Sequence, residues 1–213
     1  MARQERSERT MERLVMAAAD QFASQGFVKA SLADVSRSAG VTKGALFFHF
    51  STKDELADAV LARAQDVLET MVEELCEAES IFLQVVVDMT HALNRLLRDD
   101  AFVMASVRIT RERVNGRPAP LDFYPLWLSR LWKLLDESRR NGELGRSVAD
   151  SSARTMVTAA VSGVETLTWT RVSRTETEKW LSNLWELVLP VLRVEGTGWT
   201  VRTAAPLAQV QRP

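Results

Sequence analysis

The sequence predicts an all-α protein of about nine helices, in which a head of three short helices precedes a larger helical body. Hydrophobic residues make up 46% of the 213 residues while Gly contributes 9 and Pro only 6, so long stretches can run uninterrupted as helix. Apolar residues recur at three- and four-residue spacing along most of the chain. The rhythm changes near Cys76, from short segments punctuated by glycine to long amphipathic ones.

The first helix is predicted over 7–25, where Met11, Leu14, Val15, Ala18 and Phe22 share a face and Gly26-Phe27 supplies a stop. Ahead of it Arg3, Arg6 and Arg9 are interleaved with Glu5 and Glu8. Arg6 and Arg9 read as a solvated terminus, and Arg3 is kept as an arm for a nucleic-acid backbone or minor groove. A second helix starts at Ser31, whose hydroxyl can cap free N–H groups, and buries Leu32, Val35 and Ala39. Gly40 closes it in the left-handed conformation and lets Val41 drop into the core.

Thr42 caps a third helix reaching about Phe48. Its first turn, Lys43-Gly44-Ala45, carries one charge and two minimal side chains, although a glycine there costs up to about 1 kcal/mol against alanine. Small side chains let another surface approach closely, and a helix N-terminus with Lys43 favours an anion such as phosphate. Two short helices with a glycine turn and a polar first turn on the second fit a helix-turn-helix, whose second helix enters the DNA major groove. On spacing alone, an ordinary hairpin of a helical bundle is the other reading.

Ser51 and Thr52, each with an acid three residues on at Asp54 and Glu55, open a long helix to about Leu75. Leu56, Val60, Val67, Leu68, Met71 and Leu75 form its buried side. Further helices are predicted over about 80–98, 100–114, 121–140, 150–172 and 175–193, with breaks at Pro118 and Pro120 and at Asn141-Gly142 with Gly145. From Val194 the sequence loses periodicity and reads as a loose tail. The predicted domains are therefore a helix-turn-helix head over 1–53, a helical ligand-binding and dimerisation body over 54–193, and a tail over 194–213.

The formal net charge of −1 argues against a uniformly basic coat, yet residues 1–53 hold eight Lys and Arg against five Asp and Glu, leaving −4 for the remainder. One cysteine, Cys76, excludes an intramolecular disulfide and fits a reducing cytoplasm. No apolar run approaches the ~20 residues that span a bilayer, so a cytoplasmic protein with no membrane partner is expected. His49 and His91 are the only histidines, with no metal-ligand spacing, nucleophile elbow or phosphate-binding glycine loop. No catalytic residue, metal or cofactor is expected, and the chain is not read as an enzyme.

The run Gly40-Val41-Thr42-Lys43-Gly44-Ala45-Leu46-Phe47-Phe48-His49-Phe50, followed by Lys53-Asp54-Glu55-Leu56, resembles the signature of TetR-family repressors. Its Thr-Lys-Gly-Ala-Leu-aromatic-Phe-His-Phe form is similar to the γ-butyrolactone-receptor branch. The resemblance implies a homodimeric transcriptional repressor on double-stranded operator DNA. A small γ-butyrolactone, butenolide or furan-type inducer would release it, in the control of secondary metabolism. The alternative is a TetR-like regulator that answers to an antibiotic or another ligand. DNA contacts are implied for Ser31, Thr42, Lys43, Gly44, Ala45, Phe47, His49 and Lys53. Phe47 stands where the family usually has a tyrosine, which removes one phosphate contact.

For the inducer, the resemblance implies Gln65, Phe82, Val86, Met89, Ile109, Trp127, Leu131, Thr158 and Ser162. Trp127, counted back from Asn141-Gly142-Glu143, falls where butyrolactone-receptor-like proteins carry a pocket tryptophan. For Gln65 a surface glutamine is the alternative. For Thr158 and Ser162, which repeat with Thr166 every four residues, a bond to the carbonyl one turn back is the alternative. Trp180, Leu184, Leu187, Val188 and Val191 form one apolar stripe on the last helix, and Leu181, Trp185, Leu189 and Leu192 another. A helix apolar on two sides needs two partners, and a second subunit is the simplest source of one. Ala160 and Gly163 allow close approach on the preceding helix.

Overall fold

The computed structural model of the chain describes residues 2–113, 123–194 and 198–206, with side chains from Gln4 onward. The described residues form α1 (Ala2–Gln25), α2 (Leu32–Ser38), α3 (Lys43–His49), α4 (Lys53–Ala78), α5 (Phe82–Asp99), α6 (Ala101–Glu112), α7 (Phe123–Arg140), α8 (Asp150–Trp169) and α9 (Arg174–Leu192). The all-α expectation is met. The expected breaks at Pro118 and Pro120 and the arm side chain of Arg3 lie outside the described residues. None of the described helices is long and apolar enough to cross a membrane.

Local chemistry sets the ends of the short helices. The Ser31 and Thr42 hydroxyls accept from Asp34 N and Ala45 N, both at 3.1 Å. Thr52 Oγ1 accepts from Glu55 N at 3.1 Å, while the Glu55 carboxylate accepts from Ser51 N at 2.7 Å. Gly40, at φ 63°, follows α2 in a Schellman turn, with Val41 N donating to Ser36 O and Gly40 N to Arg37 O.

Contacts divide the chain into two compact units, Met1–Leu68 with Asp100–Leu126 and Glu69–Asp99 with Trp127–Pro213. This partition does not follow the boundary expected at residue 53, because α6 packs on α1. In the first unit Leu14, Ala18, Phe22, Val35, Leu46, Leu56, Leu61, Ala105 and Ile109 share one core. The last turn of α6 is pinned there by polar bonds. Glu112 accepts the Val28 N–H at 2.8 Å, and Arg113 pairs with Asp54 and Asp58 at 3.2 and 2.8 Å.

In the second unit α5 packs against α8 and α9. The Glu143 carboxylate, 2% exposed, caps α5 from the α7–α8 turn by accepting from Phe82 N at 3.1 Å and Leu83 N at 2.7 Å. Trp185 of α9 donates its indole N–H to Thr90 Oγ1 at 3.0 Å. The stretch expected to trail loose beyond 194 does not do so over 198–206, where Arg202 and Thr203 bond to side chains of α5. Hydropathy missed this segment because it is held by polar bonds to its main chain.

Two helix ends in this unit share one geometry with different residues. Gly142 (φ 71°) follows α7 and Arg171 (φ 62°) follows α8, each inside the same pair of turn hydrogen bonds. A Cβ at Gly142 would meet nothing within 4 Å, so only the backbone conformation matters there. Gly142→Ala should lower stability by about 1–2 kcal/mol, the left-handed penalty for an L-residue, and Arg171→Gly should raise it by up to about the same amount. Urea midpoints at unchanged slope read both. Changes of equal sign would show that side chains, not backbone strain, decide these turns.

Candidate nucleic-acid interface

α3 is held from behind and bare in front. Leu46 and Phe50 sit in the head core with Val35 and Ala39 of the preceding helix. Burying a side chain such as Leu46 contributes roughly 1.5–3 kcal/mol. Arg13 of α1 donates to the Ala39 and Gly40 carbonyls and so ties the turn to its platform. The same guanidinium would lie 2.9 Å from a Cβ at position 40 and would have to shift to admit one.

Thr42, Lys43, Gly44, Phe47 and Phe48 are exposed, with Ala45 and His49 half-buried. Lys43, Gly44, Phe47 and Phe48 are three and four apart and lie on one side of the helix. Phe48 is 79% exposed and Phe47 53%, an apolar pair that water solvates poorly. A Cβ at Gly44 would meet only Thr42 Oγ1, at an ordinary 3.9 Å, and the backbone there is not left-handed. Nothing among the described residues requires a glycine at 44. Phe48 was not among the residues singled out by sequence, although its place one turn after Gly44 is the signal that finds it.

Three of the eight assigned DNA-contact residues have side chains hydrogen-bonded inside the head, Thr42 through its cap on Ala45 N and two others more extensively. The Ser31 hydroxyl accepts from Asp34 N and donates to the Asp34 carboxylate at 2.6 Å, and that bond holds the Asp34 pKa below its usual value. Lys53 Nζ donates to the carbonyls of Phe27 at 2.9 Å and of Val28 and Ala30 at 3.2 Å, and lies 4.6 Å from the Phe27 ring centroid. A phosphate bond from Lys53 would have to displace one of these three, because an ammonium has three N–H groups.

The residues assigned to an inducer are not all placed alike. Val86, Met89, Trp127 and Leu131 are fully buried in the second unit, and Phe82 is half-buried. Gln65 is half-buried on α4. Ile109 belongs to the core of the head instead, because α6 turns its apolar side onto α1. Thr158 donates to the Arg154 carbonyl at 2.7 Å and Thr166 to that of Ser162 at 2.9 Å, one turn back in each case. Ser162 is exposed, on the side of α8 away from buried Val157, Val161 and Val164. A cavity of about 700 Å³ opens beside Arg139, Gly145, Arg146, Pro190 and Arg193, and none of the residues assigned to the inducer lines it.

On α9 the two stripes separate. Leu181, Trp185, Leu189 and Leu192 are buried, while Trp180 (44%), Leu187 (75%) and Val191 (70%) are exposed and Leu184 and Val188 half-buried. A Cβ on Gly163 of α8 would meet nothing within 4 Å.

The Lys53 geometry makes a measurable claim. Lys53→Met keeps the aliphatic stem and removes the donor to three carbonyls, so it should cost the head about 1.5–3 kcal/mol in urea unfolding. Full stability with a loss confined to DNA affinity would place the ammonium on DNA instead.

Residues 14–60 match the family model described as bacterial regulatory proteins, tetR family, a span that contains α2 and α3. The A-factor receptor protein of Streptomyces griseus is 27% identical over 197 residues, 92% of this chain and 68% of that protein. A solved structure described as the molecular basis for control of antibiotic production by bacterial hormones is 30% identical, with a TM-score of 0.75 over 87% of this chain and 98% of its own. A γ-butyrolactone receptor described as ArpA-like is 26% identical, with a TM-score of 0.68 over 89% of this chain and 90% of its own. With the helix-turn-helix inside the matched span and the fold shared across nearly the whole of such relatives, the chain belongs to the tetR family of bacterial regulatory proteins, as a DNA-binding transcriptional repressor.

Proposed function

We propose that this repressor binds its operator as a homodimer and is released by a small γ-butyrolactone, butenolide or furan-type signalling molecule, in the control of secondary metabolism. The observation that carries the DNA-reading part is Gly44, a helix-weakening residue that nothing among the described residues requires, beside exposed Lys43, Phe47 and Phe48. Its absent side chain suits a helix pressed against a groove, with Lys43 on a base edge or phosphate and Thr42 at the backbone. The outward stripe of exposed Trp180, Leu187 and Val191 with half-buried Leu184 and Val188 supports the dimer, which a twofold operator requires.

The inducer class rests on the resemblance to the A-factor receptor and the γ-butyrolactone receptor, and on apolar buried residues suited to an alkyl tail. In this reading Phe82, Val86 and Met89 of α5 and Trp127 and Leu131 of α7 meet the inducer, with Thr158 as a neutral polar neighbour. α5 ends at Asp99 and α6 begins at Ala101, so displacement of one reaches the other through a single intervening residue. The last turn of α6 grips the head through Glu112 and Arg113. An inducer that favours the conformer with misplaced heads shifts the equilibrium by its difference in affinity for the two conformers and no more.

A gel shift on the protein's own promoter region, against a panel of butyrolactones, butenolides, furans and antibiotics, tests the reading. Release by a lactone- or furan-type compound is expected, and Trp127→Ala should weaken that release about tenfold or more while leaving operator binding intact. Release by antibiotics alone would overturn the inducer class. Gly44→Ala should raise the stability of the head by up to about 1 kcal/mol while weakening operator binding. Unchanged affinity in that variant would remove α3 from the groove.

A further inference from the structure

α5 is a buried helix with an unusual side. Phe82, Val86 and Met89 line one face, as a core helix requires, but Gln84, Asp88 and His91 recur at i, i+4 and i+7 on the opposite face and are only 2%, 1% and 3% exposed. Their partner is the C-terminal segment. The Gln84 amide bonds the Arg202 main chain twice, accepting from Arg202 N at 2.6 Å and donating to Arg202 O at 3.2 Å. The Arg202 guanidinium bridges Asp88, at 3.1 Å, and Glu79. His91 Nε2 lies 2.9 Å from Thr203 O, while its Nδ1 is buried without a hydrogen-bond partner among the described residues.

We propose that residues 198–206 are a detachable strap whose docking on the Gln84, Asp88 and His91 side of α5 sets the position of that helix, and so its response to inducer; the second clause rests on the function proposed above. The chemistry of the contact favours reversibility. An apolar seam would hold the segment permanently, whereas amide, carboxylate and imidazole groups find water when it leaves. No residue of 198–206 is fully buried, and its apolar members Trp199, Val201, Ala205 and Pro206 are only half-buried. Burial raises the Asp88 pKa to about 6 despite Arg202, so the docked state holds a desolvated carboxylate. The sequence Glu195-Gly196-Thr197-Gly198, with two glycines, connects the segment to α9.

Hydrogen exchange and operator release on the full chain test this. In the unaltered protein, amides of 199–205 should exchange well before those of α8 and α9. In Arg202→Ala, strap protection should be lost and exchange in α5 should quicken, with the helical circular dichroism unchanged. The inducer concentration for half release should shift about fivefold or more. Strap amides that exchange only with global unfolding would overturn the proposal, as would an Arg202→Ala variant with unaltered α5 exchange. If no compound of the panel releases the operator, the inducer reading fails by itself and α5 exchange still decides the strap. If Arg202→Ala does not fold, Arg202→Gln takes its place, since it removes the guanidinium that bridges Asp88 and Glu79 and alters no residue of α5. Quickened α5 exchange in that variant supports the strap, and unaltered exchange overturns it.

Discussion

The Glu112 carboxylate accepts the Val28 N–H at 2.8 Å and fills the space where a side chain at position 26 would begin, 2.5 Å from a Cβ there. Gly26, at φ 91°, is required by its left-handed backbone, and its missing side chain leaves this carboxylate its place. Around that point the head is tied together. Arg108 donates to Ser24 O, Arg113 pairs with Asp54 and Asp58, and Phe22 meets Phe27 edge to face at 5.5 Å. The platform on which α2 and α3 stand is thus built partly from a segment that returns to the head only after α5.

The chain separates permanent contacts from contacts open to exchange by their chemistry. Position is kept by apolar, fully buried side chains, as with Phe22 and Leu46 in the head or Val157 and Trp185 in the body, together with internal polar bonds such as that of Glu112 to Val28 N. Polar and exposed groups mark the places that meet something else, such as Lys43 and Gly44 on α3 and the outward line of Ser162 and Thr166 on α8. α5 combines the two kinds on opposite faces. That division lets one helix serve as a structural member on one side and a point of control on the other.

The helical order of the chain was legible in the sequence because caps and periodicity are local. Ser31, Thr42 and Thr52 cap as their positions imply, and Gly40 closes its helix in the left-handed conformation. The two-sided character of α9 was legible for the same reason. Long-range partnership was not. Periodicity shows that α6 is amphipathic but not that it packs on α1, which moved Ile109 from an expected ligand contact into the core of the head. Lys53 was a DNA contact by resemblance alone, and its three carbonyl partners lie 23 to 26 residues away, where local sequence does not show them. Ser162 misled through its apolar neighbours. The segment 198–206 was invisible because main-chain bonds to distant side chains leave no hydropathic trace.

Both compact units are discontinuous in sequence, and they interleave. A ribosome therefore cannot complete the head before it has also extruded α5, since α6 follows α5 in the chain. When the head closes, α5 has emerged with thirteen side chains destined for burial and without its Glu143 cap, α8, α9 or the segment at 202. At ordinary elongation rates that exposure lasts roughly 5–20 s. The polar face of α5 then has a second consequence, because a nascent helix carrying Gln84, Asp88 and His91 opposite its apolar side is less prone to nonspecific association than one hydrophobic all round.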